Sequence, residues 1–327
     1  MIPTPLWKLY TKLFGITKPY LDPYLTGDGN GFFFGTRNKK EFFLSLLASY
    51  QSDVAVTLEA DEIRNRIDRG ETDHTFRFVF PLGKEYWRRP VSASPEYFVK
   101  SAEHWIDTNP PFSKAWLDPE ETAIRAINWI AGYHLFSDHS SVTKQFIERF
   151  LRVLYLHGSL CSRYLRKNRT NETEKLIVLI AAQLVGTMFY NHRSGKRWHD
   201  RSIRQIDDMI VQEEKDRVND LSIRRLEFYT ISYCASKRFN VNRKSGALNK
   251  FHTMYKAAAQ AENLHEVNRK IFRYNLEEET SMLIGLFPVG AVLFQDTELK
   301  KLYSKYSEDA LWLSGTEGFE VFRSISS

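Results

Sequence analysis

The amino-acid sequence predicts an all-α fold of helical hairpins, closed as an incomplete (α/α) toroid. Three observations carry this. Helical periodicity recurs almost without a break after Pro95, the connections between helical stretches are short, and one central helix has apolar or aromatic residues on two faces. A spacing of about 20 to 25 residues per helix suits paired-helix architectures. No residue-level repeat of the tetratricopeptide or ankyrin kind is visible, which favours a closed ring over an open solenoid.

The chain divides on this reading into a lead-in, residues 1–94, packed on a toroid domain, residues 95–327. Residues 1–38 are rich in Pro, Gly and aromatics and read as irregular or short-helical. Thr75 to Phe80 alternates like a short strand, which Pro81-Leu82-Gly83 ends. Helices are then expected at roughly 95–108, 119–136, 140–165, 172–191, 198–214, 219–238, 246–262, 277–294 and 297–309. Breaks fall at Asn109-Pro110-Pro111, Ser137-Asp138, Arg193-Ser194-Gly195, Asn240-Val241-Asn242 and Gln295-Asp296.

The helix over 119–136 is the best specified. Asp118 can cap it, Pro119 fits the first helical position, and Glu120 and Glu121 suit the positive end of the helix dipole. Ile124, Ile127, Ala131 and Leu135 form one stripe; Arg125, Asn128, Trp129, Gly132 and Phe136 form a second. A helix enclosed on both sides, with Arg125, Asn128 and Trp129 in one row, can line a cavity for a polar or anionic ligand. The alternative is an Arg125–Glu121 pair beside a core Trp129.

With 327 residues and 43% hydrophobic content, the chain can build a substantial core. The longest apolar run, Leu176 to Tyr190, is too short to span a bilayer, so no membrane insertion is expected. The N-terminal residues lack a secretory pattern, which makes cytoplasm the default location. Two cysteines, Cys161 and Cys234, exclude a disulfide framework and read as small core hydrophobes. Lys plus Arg number 46 against 40 for Asp plus Glu, a net charge of +6 that is compatible with an anionic partner. No metal-ligand cluster, phosphate-binding glycine loop or nucleophile elbow is present, so no metal and no cofactor is expected. A basic stretch from Arg163 to Arg169 reads as a solvated face rather than a nucleic-acid site, and a nucleic-acid partner is disfavoured. His192 and His199 bracket Arg193-Ser194-Gly195-Lys196-Arg197-Trp198, a basic loop that reads either as a solvated connection or as a surface for sugar or phosphate.

Glu121-Thr122-Ala123-Ile124-Arg125-Ala126-Ile127-Asn128-Trp129, preceded by Trp116, resembles the helix signature of the heparinase II/III-like and alginate-lyase-like polysaccharide lyases. Ala60-Asp61-Glu62-Ile63, Phe76-Arg77-Phe78, Leu82-Gly83, Tyr97 to Trp105 and His157-Gly158 are similar to flanking parts of that family, as are Phe287 to Asp296 and Ala310 to Gly315. The resemblance implies a toroid that binds a uronate-containing acidic polysaccharide and cleaves it by β-elimination. Such toroids are normally followed by a β-sandwich domain, which this sequence does not show. It also implies a cell-envelope or periplasmic location as the alternative to cytoplasm, and says nothing of oligomeric state.

Residue by residue, the resemblance offers Asn171 and Tyr229 as catalytic groups, and Arg125, Asn128, Trp129, His157 and Tyr233 as substrate-binding groups. The sequence departs from the family pattern in two places. Thr173-Glu174 stands where an Asn-His pair is common, and Asn171, two residues earlier, reads more readily as a helix cap than as the Asn of that pair. Tyr274-Asn275-Leu276-Glu277-Glu278-Glu279 replaces a Gly-Asp-Xaa-Asp-Gly turn. A binding toroid without turnover is therefore the competing function.

Overall fold

The structure, a computed structural model, describes residues 53–71, 73–111, 113–165, 171–213, 225, 228–229, 231–233, 236 and 243–260. Its helices are α1 (Asp53–Asp68), α2 (Val79–Arg88), α3 (Ser94–Thr108), α4 (Pro119–Phe136), α5 (Lys144–Tyr164), α6 (Glu172–Met188), α7 (Arg193–Gln212) and α8 (Ser245–Gln260), with one 3-10 turn at Lys114–Trp116. Among the described residues the fold is all-α, and no strand is present. Residues 56–203 form one compact unit, and the described residues from 204 onward belong to a second. The expected helices over 277–294 and 297–309, the acidic segment 274–279 and Cys234 lie outside the described residues.

Caps define several helix starts. The Asp118 carboxylate accepts from the Glu121 N–H at 2.8 Å, Asn171 caps α6 through the Glu174 N–H at 2.8 Å, and Thr143 caps α5 through the Phe146 N–H at 3.2 Å. In the first unit α4 packs against α6, and α5 lies against both. The 3-10 turn and α2 also contact α4, while α3 lies against α2 and α5. Every residue of α4 from Thr122 to Phe136 and of α6 from Leu176 to Met188 is buried. Enclosure of α4 on both faces, expected from its two stripes, is therefore present. Its polar stripe meets protein rather than open space.

Two expectations are corrected. The segment Thr75 to Phe80 is a turn running into α2, not a strand. The Asp73 carboxylate accepts from the Thr75 N–H, the Thr75 hydroxyl and the Arg77 N–H, which curls the chain locally. Phe76 takes a left-handed φ of 60°, incompatible with a strand. Phe76, Phe78 and Phe80 are all buried, so the alternation of aromatics comes from a coil that turns them into one core. The lead-in is also more helical than expected, since α1 and α2 both fall within it.

The second correction concerns α7, which starts at Arg193 rather than near 198. Gly195 does not break the helix; it lets the helix sit against the end of α6. A Cβ there would lie 2.0 Å from the Phe189 carbonyl oxygen. Gly186 on the facing turn is equally confined, with the His199 nitrogen 2.6 Å and the Gly195 oxygen 2.7 Å from a built Cβ. Backbone approaches this close cannot be relieved by a rotamer change.

Gly195→Ala should therefore lose about 2 kcal/mol of stability despite the better helix propensity of Ala. Gly246→Ala, in α8 with nothing within 4 Å of the added carbon, should be neutral or stabilising by up to about 1 kcal/mol. Denaturant unfolding of the full chain decides. Equal effects of the two substitutions would contradict the close approach of α6 and α7.

Candidate functional site

The polar stripe of α4 is the best-defined chemical cluster of the first unit. Arg125 is wholly buried, yet no carboxylate pairs with it among the described residues. Its charge is met by dipoles and rings instead. One terminal nitrogen donates to the His74 carbonyl at 3.0 Å, the other to the Ala115 carbonyl at 2.9 Å, and Nε donates to Nε2 of His157 at 2.9 Å. The guanidinium carbon lies 4.2 Å from the centre of the Trp105 ring and 5.6 Å from that of Trp116. Burial pulls the Arg125 pKa down to about 10, which leaves it a cation at neutral pH.

The partner roles of His157 follow from that geometry. Arginine Nε–H only donates, so Nε2 of His157 carries the lone pair and its Nδ1–H donates to the Val153 carbonyl at 2.9 Å. Burial and the neighbouring Arg125 charge hold the imidazole pKa well below the ordinary histidine value, so the ring is neutral. Trp116 and Trp129 flank it, with ring centres 4.5 and 5.1 Å away. Trp129 also stacks on Phe150 at 4.8 Å and meets Phe76 edge-on. Asn128 donates to the Thr75 carbonyl at 2.8 Å.

The stripe is thus a clamp. Arg125 and Asn128 fasten the 74–75 turn, and Arg125 also fastens the segment leading to Trp116. Tyr164 closes the same segment by donating to the Trp116 carbonyl. The alternative pairing of Arg125 with Glu121 is not made. Sequence reasoning missed the group this clamp presents. His74 is exposed, its backbone carbonyl is held by Arg125, and its Nδ1 accepts from Trp105 Nε1–H at 3.2 Å. That contact sets the tautomer of the neutral His74 ring, with the proton on Nε2. Its only sequence signal is its place just before the family-like Phe76-Arg77-Phe78.

The remaining sequence candidates are placed as follows. Asn171 uses its side-chain oxygen as the cap of α6. Tyr229 belongs to the second unit, buried, with its hydroxyl donating to Glu213 at 2.8 Å; Arg225 donates to the same carboxylate oxygen at 2.8 Å. Tyr233 stacks on Phe251 at 4.7 Å and lies under the Arg243 guanidinium at 4.1 Å. Burial pushes its phenol up to about 12. Arg243, also missed by sequence reasoning, pairs with the buried Asp207 at 2.8 Å and donates to the hydroxyls of Ser232 and Ser236. Among the described residues no group of three or more His, Cys, Asp or Glu is placed to hold a metal ion. No described helix is long and apolar enough to cross a membrane.

The family model described as Heparinase II/III N-terminus matches residues 49–220. This chain belongs to that family. The match spans the whole described part of the first unit, including the α4 signature, the 74–76 turn and His157. It ends before Tyr229 and Tyr233 and before the more distant segments, 287–296 and 310–315, that resemble the family in sequence. No curated protein and no solved structure matches the chain.

Arg125→Ala should cost about 3–5 kcal/mol, because it leaves two loop carbonyls and Nε2 of His157 unpaired around a new cavity. Arg125→Lys keeps the charge but cannot span the three acceptors, and should recover less than half of the loss. The histidine adds a pH dependence. Its folded pKa is depressed below the unfolded value near 6.5, so the unfolded chain binds the extra proton and stability falls as pH drops below about 6.5. The slope approaches about 1.4 kcal/mol per pH unit until the folded pKa is reached. Thermal unfolding across this range should be flatter in His157→Gln, and parallel curves would refute the neutral buried ring.

Proposed function

We propose that this chain acts on a uronate-containing acidic polysaccharide by β-elimination. Three things support the reading: membership of the heparinase II/III family, the cationic excess of 46 over 40, and a protic side chain held at the surface by a buried clamp. The reaction needs the uronate carboxylate neutralised, a base to take the C5 proton and an acid to protonate the departing O4. The carrying observation is His74, exposed yet fixed at both its carbonyl and its Nδ1. In this reading its Nε2–H donates a hydrogen bond to the uronate carboxylate, and Arg125, Asn128, Trp129 and His157 position it without touching substrate.

Tyr229, buried in the second unit, has its hydroxyl engaged with the Glu213 carboxylate that Arg225 also holds, and it takes no part in the role given to His74. Tyr233 fits a proton-transfer role poorly, because burial pushes its phenol up to about 12. Asn171 supports the start of α6.

One observation favours the second reading, a glycan-binding domain without turnover. Tyr229, the proton-transfer candidate of the sequence, is fully buried, whereas a group that moves a proton must reach the sugar. The two readings separate by ultraviolet absorbance of the unsaturated uronate that β-elimination creates, measured on alginate, heparan sulfate and hyaluronan with binding calorimetry in parallel. The lyase reading expects absorbance growth that falls at least about a hundredfold in His74→Ala, with binding retained. Binding without absorbance growth by the wild-type chain establishes the second reading instead.

A further inference from the structure

Several of the described cations are committed to carboxylates. Arg64 pairs with Glu85 and Asp61, Arg66 and Arg69 with Glu71, Lys100 with Asp68, Arg149 with Asp107, Arg152 with Glu148, and Lys244 with Asp208. The first half of α7 gathers four that are not. Arg193, Lys196, Arg197 and Arg201 form no ion pair among the described residues, and the first three are exposed. Arg193, Arg197 and Arg201 follow at i, i+4, i+8 and so run along one side of the helix, rising about 6 Å per step. The one carboxylate between Arg193 and Arg201, Asp200, accepts from His199 Nδ1–H at 2.8 Å.

The start of α7 does not offset this charge. The first turn of α7 contains no acidic residue, so Arg193, Lys196 and Arg197 stand unopposed at the end of the helix where cations are disfavoured. An arrangement that weakens its own helix is explained when an outside anion completes it.

The surface is also built rather than loose. His192 Nδ1 accepts from the Ser194 N–H at 3.2 Å and from the Tyr155 hydroxyl at 3.1 Å, while the His192 N–H donates to the Phe189 carbonyl at 2.9 Å. The contacts of Gly186 and Gly195 lock the turn against α6. At one end Tyr190 is 38% exposed, with Lys196 Nζ 5.6 Å from its ring centre and the His199 ring edge-on at 5.0 Å. An accessible ring beside a cation suits a sugar face next to its own carboxylate or sulfate.

We propose that the side of α7 carrying Arg193, Lys196, Arg197 and Arg201, with Tyr190 at its end, is a docking surface for an acidic polysaccharide chain. It takes the anionic groups on its guanidinium forks and a sugar ring on Tyr190. The inference rests on the reading of the chain as a protein of acidic polysaccharides, and assigns the contact to a surface separate from the α4 stripe.

The full chain is titrated at low salt with alginate, which offers carboxylates alone, and with heparan sulfate, which adds sulfates; single-stranded DNA is the competing polyanion. Arg193→Glu combined with Arg197→Glu should weaken glycan binding at least about tenfold and flatten its salt dependence. Double replacement by Lys should restore most of the affinity, and Tyr190→Ala should weaken binding about threefold with little change in salt slope. Loss on both glycans identifies the carboxylate as sufficient, and loss on heparan sulfate alone identifies the sulfate. Circular dichroism on the double-Glu variant separates lost contact from lost fold, and the Lys and Tyr190 variants carry the test if it misfolds. Unchanged affinity, absence of glycan binding by the wild type, or tighter binding of DNA than of either glycan overturns the proposal. Failure of the lyase reading looks different: binding that depends on α7 with no unsaturated uronate formed leaves this surface standing, whereas turnover with α7-independent binding removes the surface alone.

Discussion

The first unit is organised around a cation taken out of water without a counter-ion. A guanidinium buried this completely is expensive, and pairing with a carboxylate would add the desolvation of a second charge. The chain uses peptide dipoles instead: the carbonyls of His74 and Ala115 and the lone pair of His157 converge on Arg125, with Trp105 below. Three segments distant in sequence are thereby required to meet at α4. Because the acceptors are backbone groups, the requirement falls on chain path more than on residue type. The arrangement rigidifies the 74–76 turn enough for Phe76 to hold a left-handed φ.

That dependence explains which features are legible in the sequence. The start of α4 is readable because capping is local: Asp118 and Pro119 act within one turn. The enclosure of α4 and α6 is readable because periodicity reports faces. The strand expected at 75–80 is not, because alternation is the same signal in a strand and in a turn whose direction is set by one carboxylate, here that of Asp73. The start of α7 is missed for a related reason. Gly195 reads as a helix breaker by propensity, whereas the structure uses its missing Cβ to bring two backbones together.

The candidate site was legible in membership and not in role. Arg125 and Trp129 share a stripe that spacing shows, and His157 joins them in the structure, but spacing cannot say whether a polar stripe faces a cavity or a loop. The answer lies in the irregular segments, 74–75 and 113–116, whose carbonyls carry no sequence signature. His74 escaped notice because its importance comes from what its backbone and ring accept, and Arg243 because its partner Asp207 is 36 residues away in sequence.

Electrostatics then separates the chain's cations by what neutralises them. Arg64 and Arg243 are held by carboxylates and join helices; Arg125 is held by dipoles and joins loops to a helix. The row on α7 makes no ion pair among the described residues, and Arg193, Lys196 and Arg197 are exposed. Only the third kind is free to change partner at little structural cost, because no buried acceptor is left unpaired when it does. A fold can therefore keep its family architecture through the first two kinds while its affinity for an anionic polymer is set by the third. The α4 signature testifies to family and packing, and the proposed α7 contact falls to residues that packing does not constrain.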